Sequence, residues 1–234
     1  MNVVEYFNHE SEKFNAQYTS KPTFQERLKI FSAEIEHVFQ EKVKPSCLDL
    51  GCGSGVLTEV ITAHGGNAIA IDQSEEMLNL AKDRLEKAGY ADKVQWICAS
   101  LPLQSDLINT KVDLAVSSSV LEYVPEIDRA ILSIAERIIR GGKFVFSVPN
   151  KDSLYRIMQR FLKKLGLLKN SYIQHQHHQF SKGELANQLK RAGFKIRSER
   201  YFALPTNKLL QKTLKIFPKR LSATMILIVA IKES

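Results

Sequence analysis

From Asp49 to Gly55 the chain reads DLGCGSG, with three glycines in five residues. Glycine loses more backbone freedom on folding than any other residue, so such a run is costly unless it gains something. A strand that enters a glycine-rich turn and then a helix brings backbone N–H groups and the positive helix end up to a ligand, with no side chain in the way. The expected gain is a close ligand seat. Spacing narrows the ligand, since a dinucleotide fingerprint would need glycine where Val56 stands, and no G-K-[ST] ending follows, which excludes a P-loop. A second group with chemical reach is His175, His177 and His178. A histidine there could act as a general base, while the same triplet also reads as a solvated or capping segment; without a further ligand group nearby it predicts no metal site.

The elements that must hold these groups follow from periodicity. Short apolar stretches at 46–50, 67–71, 94–97, 112–116 and 142–148 predict strands, and helices are expected between them at about 55–64, 74–88 and 126–139. Ser74 with Glu75 and Glu76 marks a helix start, and Ile127, Ile131, Ile134 and Ile138 set the period of the third helix. Beyond Pro149 a basic amphipathic stretch, LYRIMQRFLKKLGLLKN, leads to the histidines. A helix then opens on Ser181 and Glu184 as a capping box and closes at Gly193. Two more strands are expected at 194–201 and 223–231. Strands alternating with helices predict an α/β protein with a mainly parallel sheet.

Composition bounds the rest. At 234 residues and 44% apolar the chain can bury a full core. The longest apolar run, MILIVAI, falls far short of the roughly 20 residues that span a bilayer, and the start of the chain predicts no signal peptide. Cys47, Cys52 and Cys98 are odd in number, which fits reduced thiols in a cytoplasmic protein. Charge is regional: residues 1–150 hold 15 Lys and Arg against 21 Asp and Glu, net −6, whereas residues 151–220 hold 17 against 3, net +14. Such asymmetry points to partners rather than to fold.

With Asp49 ahead of its glycines, DLGCGSG resembles motif I of the class I S-adenosylmethionine-dependent methyltransferases. The likeness continues in order. AIAIDQSEEMLNLAKDRL is similar to their second motif, VDLAVSSSVLEYVPEID to the fourth, IIRGGKFVFSVPN to the fifth, and HHQFSKGELANQLKRAGFKI to a segment of the small-molecule branch that includes quinone-precursor O-methyltransferases. The resemblance implies a Rossmann-like, seven-stranded, mainly parallel sheet with helices on both faces, and S-adenosylmethionine as cofactor. It places Asp49, Gly51, Cys52, Gly53 and Gly55 at the cofactor turn. Asp72, 21 residues after Gly51, becomes the acid that takes both ribose hydroxyls, with Gln73 giving backbone. Met77 packs on adenine or is plain core, and Ser117 faces the methionine part or merely ends a strand. Two departures stand out: Ser100 and Leu101 occupy the place of an adenine-binding acid, and Glu122-Tyr123 replaces Glu-His.

The implied organisation is one domain: a helical lid at 1–44 with Tyr18 as a lid contact or packing residue, a cofactor core at 45–150, a basic acceptor-side cap at 151–220 and a final strand at 221–234. His177, then His178, are the candidate bases for a hydroxyl acceptor; an amine acceptor would need none. The basic segments predict an acceptor that is anionic or amphiphilic, or one presented at a membrane surface or on an acidic carrier protein. A peripheral cytoplasmic enzyme fits that picture. N-methylation, RNA methylation and a non-catalytic cofactor-binding protein are the competing readings, and nucleic acid is not expected without an RNA-binding module or an N-P-P-Y motif.

Overall fold

A computed structural model describes residues 3–166, 176–205 and 207–233. The five expected central strands form as β1 (Ser46–Leu50), β2 (Asn67–Asp72), β3 (Val94–Cys98), β4 (Val112–Ser118) and β5 (Ile138–Pro149). β6 (Phe194–Phe202) and β7 (Met225–Lys232) complete one seven-stranded sheet in the order β3-β2-β1-β4-β5-β7-β6. All neighbours are parallel except β7, which runs antiparallel to β5 and β6. The strand order reverses between β1 and β4. In open α/β sheets the crevice outside the carboxyl ends of the strands at such a switch is where ligands bind.

Helices cover both faces. On one side lie α2 (Pro22–Glu41) and α3 (Val56–Ala63), where Phe31, Ile35 and Ile61 pack with Leu114, Val116 and Val145. On the other, α5 (Ile127–Glu136) and α7 (Lys182–Arg191) bring Ile131, Ile134, Leu185 and Leu189 against Phe144, Phe146 and Ile228. α4 (Glu75–Lys87) starts where Ser74 accepts from the Met77 amide, as its sequence predicts, and α7 carries the full Ser181–Glu184 capping box. α1 (Val3–Ser20) and α6 (Leu154–Lys164) flank the carboxyl ends of the strands; α8 (Lys208–Leu214) and α9 (Lys219–Ser222) precede β7.

One expected boundary moves. Ile138 matches the isoleucine spacing of the third predicted helix, yet that helix ends at Glu136 and Ile138 pairs with Val112 at the start of β5. Tertiary pairing of a β-branched residue overrides the helical period there.

Candidate active site

The turn after β1 is shaped by what its glycines must avoid. Gly51 has φ +66°, and a Cβ on it would sit 2.3 Å from Val120 Cγ2, so no side chain fits between the turn and the end of β4. Gly53 has φ +54° and, by contrast, nothing nearer its Cβ position than Phe14 Cε1 at 3.9 Å: it opens onto a cavity of about 560 Å³. Asp72, at the end of β2, holds this turn in place. Its Oδ2 accepts from the Gly53 amide at 2.8 Å and its Oδ1 from the Ser74 amide at 2.9 Å, which ties the glycine turn to the start of α4. Each carboxylate oxygen keeps a second acceptor site. Asp49 is buried beneath, its Oδ2 accepting from Thr58 Oγ1 at 2.7 Å. Burial pushes the Asp49 carboxyl up to about 7 against that hydrogen bond, and burial raises Asp72 as well.

α1 forms one wall. Arg84 on α4 donates to the Ser54 carbonyl, to Glu59 at 2.9 Å and to Asn15 of α1 at 2.7 Å, and so fastens α1 to the glycine turn. Along the cavity wall runs a ladder of edge-to-face rings: Tyr123, Phe7, Phe14 and Phe24, with Tyr18 5.1 Å from Phe24. Arg27 lies over the Phe24 ring at 4.8 Å. Burial raises the Tyr18 phenol, while the neighbouring Arg27 charge pulls it the other way.

The opposite wall comes from the end of β4. Ser119 adopts φ +59°, a left-handed conformation that costs a non-glycine residue about 1–3 kcal/mol and that occurs mostly where a site needs it. It turns the chain into a 3₁₀ turn at Leu121–Tyr123, which lodges Glu122 in the cavity wall at 1% exposure. Burial pushes the Glu122 carboxyl up to about 7, opposed by the charges of Arg27 and Arg156, and its Oε2 has no hydrogen-bond partner. The histidine segment is pinned here: the amides of His177 and His178 both donate to the Glu122 carbonyl, at 2.8 and 3.2 Å.

The cavity gathers most of the residues singled out by sequence. Tyr18, Asp49, Gly51, Cys52, Gly53, Asp72, Gln73, Met77, Ser100, Leu101 and His177 all line it. Three do not. Gly55 lies behind the turn, where a Cβ would meet Ala81 at 2.8 Å, so its lack of a side chain serves helix packing. Ser117 is fully buried and pairs with Phe146; the wall begins one residue later, with Ser118 and Ser119. His178 is turned aside, with Nε2 3.2 Å from the Pro125 carbonyl and its ring beside Phe180. His175 lies outside the described residues. Missed altogether were Arg27, Glu122 as a cavity acid and Arg156, which the sequence shows only as part of a basic amphipathic stretch. Among the described residues no cluster of His, Cys, Asp and Glu could hold a metal ion.

Comparison with known proteins agrees with this geometry. The family described as Methyltransferase domain matches residues 24–199. The ubiquinone biosynthesis O-methyltransferase of Hydrogenovibrio crunogenus is 31% identical over 126 residues, 53% of this chain and 52% of the relative; that of Coxiella burnetii is 30% identical over 105 residues, 45% and 44%. The chain thus spans about half the length of the curated relatives it matches. In fold it is similar to magnesium protoporphyrin IX methyltransferase from Synechocystis PCC 6803 with bound SAH, at TM-score 0.74 and 18% identity over 99% of this chain and 98% of the other. It is also similar to an S-adenosylmethionine-dependent methyltransferase from Clostridium acetobutylicum, at TM-score 0.66 and 16% identity over 97% and 99%.

Proposed function

The chain belongs to the methyltransferase-domain family, and on that premise we propose that it transfers a methyl group from S-adenosylmethionine to a hydroxyl of a small, anionic or amphiphilic acceptor. The observation that carries the reading is the Gly53–Asp72 arrangement: an open backbone cradle whose amide is held by a carboxylate with acceptor capacity to spare. The cradle fits the cofactor. Asp72 suits the two ribose hydroxyls, Met77 and Leu101 supply apolar wall for adenine with Ser100 beside them, and Ser118 and Ser119 bring buried hydroxyls without partners to the same cavity. Arg27, next to Tyr18, suits the carboxylate of the methionine part, and the buried Asp49 favours its positive groups.

S-adenosylmethionine, when bound, supplies an electrophilic methyl on a sulfonium. The chain's own work is alignment and exclusion of water, which together account for about 7–11 kcal/mol of barrier in well-positioned reactions. The ring ladder from Phe24 to Tyr123 gives the cavity an apolar wall that suits that purpose. His177, in the cavity wall and fixed through its amide, is the proposed base for the acceptor hydroxyl. Ubiquinone O-methylation in the named relatives supports an oxygen acceptor.

Two exposed segments favour an anionic lipid surface as the place of action. Ile157, Met158, Phe161 and Leu165 stand exposed on and just after α6, with Leu209, Ile216 and Phe217 on and after α8; Lys163, Lys164, Lys212 and Lys215 lie among them. Apolar residues interleaved with lysines suit the boundary of an anionic bilayer. Among the described residues no helix is long and apolar enough to cross a membrane. Incubation with methyl-labelled cofactor tests the whole reading: label should pass to a small organic-extractable acceptor as an ether. Label in RNA, in an amine, or in no product would overturn it.

A further inference from the structure

α6 buries a charge and exposes much of its apolar surface. Its one buried residue is Arg156, 5% exposed, while Ile157, Met158 and Phe161 face solvent at 41–62%. A helix packed on a sheet ordinarily turns its apolar stripe inward. Burying a guanidinium instead costs solvation that cannot be relieved by losing a proton, because arginine stays charged in proteins. Its partners are poor: Nη1 donates to Gln159 Oε1 at 3.3 Å, Nη2 reaches Met225 Sδ at 3.8 Å, and Nε is buried with none. Among the described residues Arg156 makes no ion pair. Glu122 feels its charge but stands outside ion-pair distance.

Arg156 lines the same cavity as Gln176 and His177, groups that the proposed cofactor does not use, and its charge acts on Glu122, whose carbonyl accepts from the His177 amide. Gln176 Oε1 is also buried and unpartnered. The other cavity arginine, Arg27, comes from α2 and lies over Phe24, whose ring is 5.5 Å from that of Phe14. The two cations thus enter from different elements, Arg27 from α2 and Arg156 from α6, and the charges of both act on Glu122.

We propose that Arg156 anchors a carboxylate on the methyl acceptor, so that the cavity takes carboxylic acids in preference to their neutral counterparts. The inference rests on the methyl-transfer reading of the same cavity. One guanidinium matches the charge of one carboxylate and its planar fork can bind both oxygens. A lysine would give charge without that fork. The carboxylate of the acceptor would supply the counter-charge that the protein itself does not place within reach.

Calorimetry on the full chain decides it with two matched pairs of probes, 4-hydroxybenzoate against 4-hydroxybenzamide and octanoate against octanamide, each with and without S-adenosylhomocysteine. At least one acid should bind about tenfold or more tighter than its amide; Arg156→Gln should reduce that preference below about threefold, and Arg156→Lys should keep part of it. S-adenosylhomocysteine affinity should stay within about twofold in both variants. No preference for either acid in the native chain, a preference retained in Arg156→Gln, or a loss of S-adenosylhomocysteine binding in that variant each overturns the proposal. The last would assign the arginine to the cofactor. Failure of the native chain to bind S-adenosylhomocysteine at all would remove the methyl-transfer reading instead, and the acid and amide pairs measured without it would still decide whether Arg156 holds a carboxylate.

Discussion

The two halves of the cavity hold their polar groups in opposite ways. Around the glycine turn the carboxylates are tied to groups nearby: Asp72 accepts from the Gly53 and Ser74 amides and Asp49 from the Thr58 hydroxyl, while Arg84 binds the turn to α1. At the other end Glu122, Arg156 and Gln176 each hold a buried atom without a partner, and the supporting helix exposes Ile157, Met158 and Phe161 to solvent. The first half is preorganised by its own chain. The second is arranged for groups that come from outside it, and this is the contrast that substitutions can break.

The largest effect is expected where the preorganised half is broken. Gly53→Val inserts a branched side chain at φ +54° into open cavity, and Asp72→Ala removes an acceptor for two hydroxyls as well as the clamp on the turn. Charge-assisted bonds are worth about 1.5–3 kcal/mol each, so S-adenosylmethionine affinity should fall by roughly a hundredfold or more in either variant, with the fold retained. Calorimetry beside a melting curve checks this; native affinity in both variants would remove the site assignment.

His177→Ala comes next. It should lower turnover by at least about 100-fold and leave cofactor affinity unchanged if its side chain is the proposed base for the acceptor, since His177 lines the cavity but is held through its amide by Glu122 rather than by the glycine turn. A loss under about threefold would move proton transfer elsewhere, or point to an amine acceptor.

The same division separates what is legible in sequence from what is not. Strands, the glycine turn, Ser74 and the Ser181–Glu184 box are local: their signals lie within a few residues, and the structure forms them where the sequence predicts. Gly55 and Ser117 show the limit of that legibility. One residue of turn or pleat decides whether a side chain meets the cavity, and motif spacing does not resolve it. Arg156 shows a larger one. Helical periodicity predicts a basic amphipathic helix there, whereas the cavity takes in one of its arginines, and only the fold reveals which. Glu122 carried a signal that could have been read: a carboxylate one turn past an apolar strand, with an unusual serine run ahead of it.

Glu122 also makes the second half sensitive to pH. Its carboxyl is held at about 7 by burial, above an ordinary value of 4.5, so between these values the folded chain keeps a proton that the unfolded chain has released. Stability contributed by the protonated group is full below about pH 4.5 and is lost as pH rises through 7; Asp49 acts in the same direction. Glu122→Gln removes one of these penalties. The variant should gain on the native chain between pH 5 and 8, by about 2–3 kcal/mol at the upper end. Urea unfolding across that range checks the sign, and a stability difference independent of pH would show that Glu122 is not a buried acid in the free protein.

The smallest effect belongs to the outer face of α6, where the contrast reaches its limit because nothing is buried. Each lysine near an anionic surface contributes only about 1 kcal/mol, so Lys163→Glu with Lys164→Glu should weaken binding to vesicles of anionic lipid by roughly tenfold to thirtyfold and leave cofactor affinity intact. The exposed Phe161 and Leu165 supply apolar contact that charge alone does not, so Phe161→Ser should weaken the same binding with less dependence on salt. Sedimentation with anionic and neutral vesicles at low and high salt separates the two contributions. Binding to anionic vesicles that falls with salt in the native chain, and falls further in both variants, fits a lipid surface; equal sedimentation with neutral vesicles would leave the apolar face without that role. In that case Arg156 would still face inward, since its burial depends on the cavity and not on what α6 touches outside.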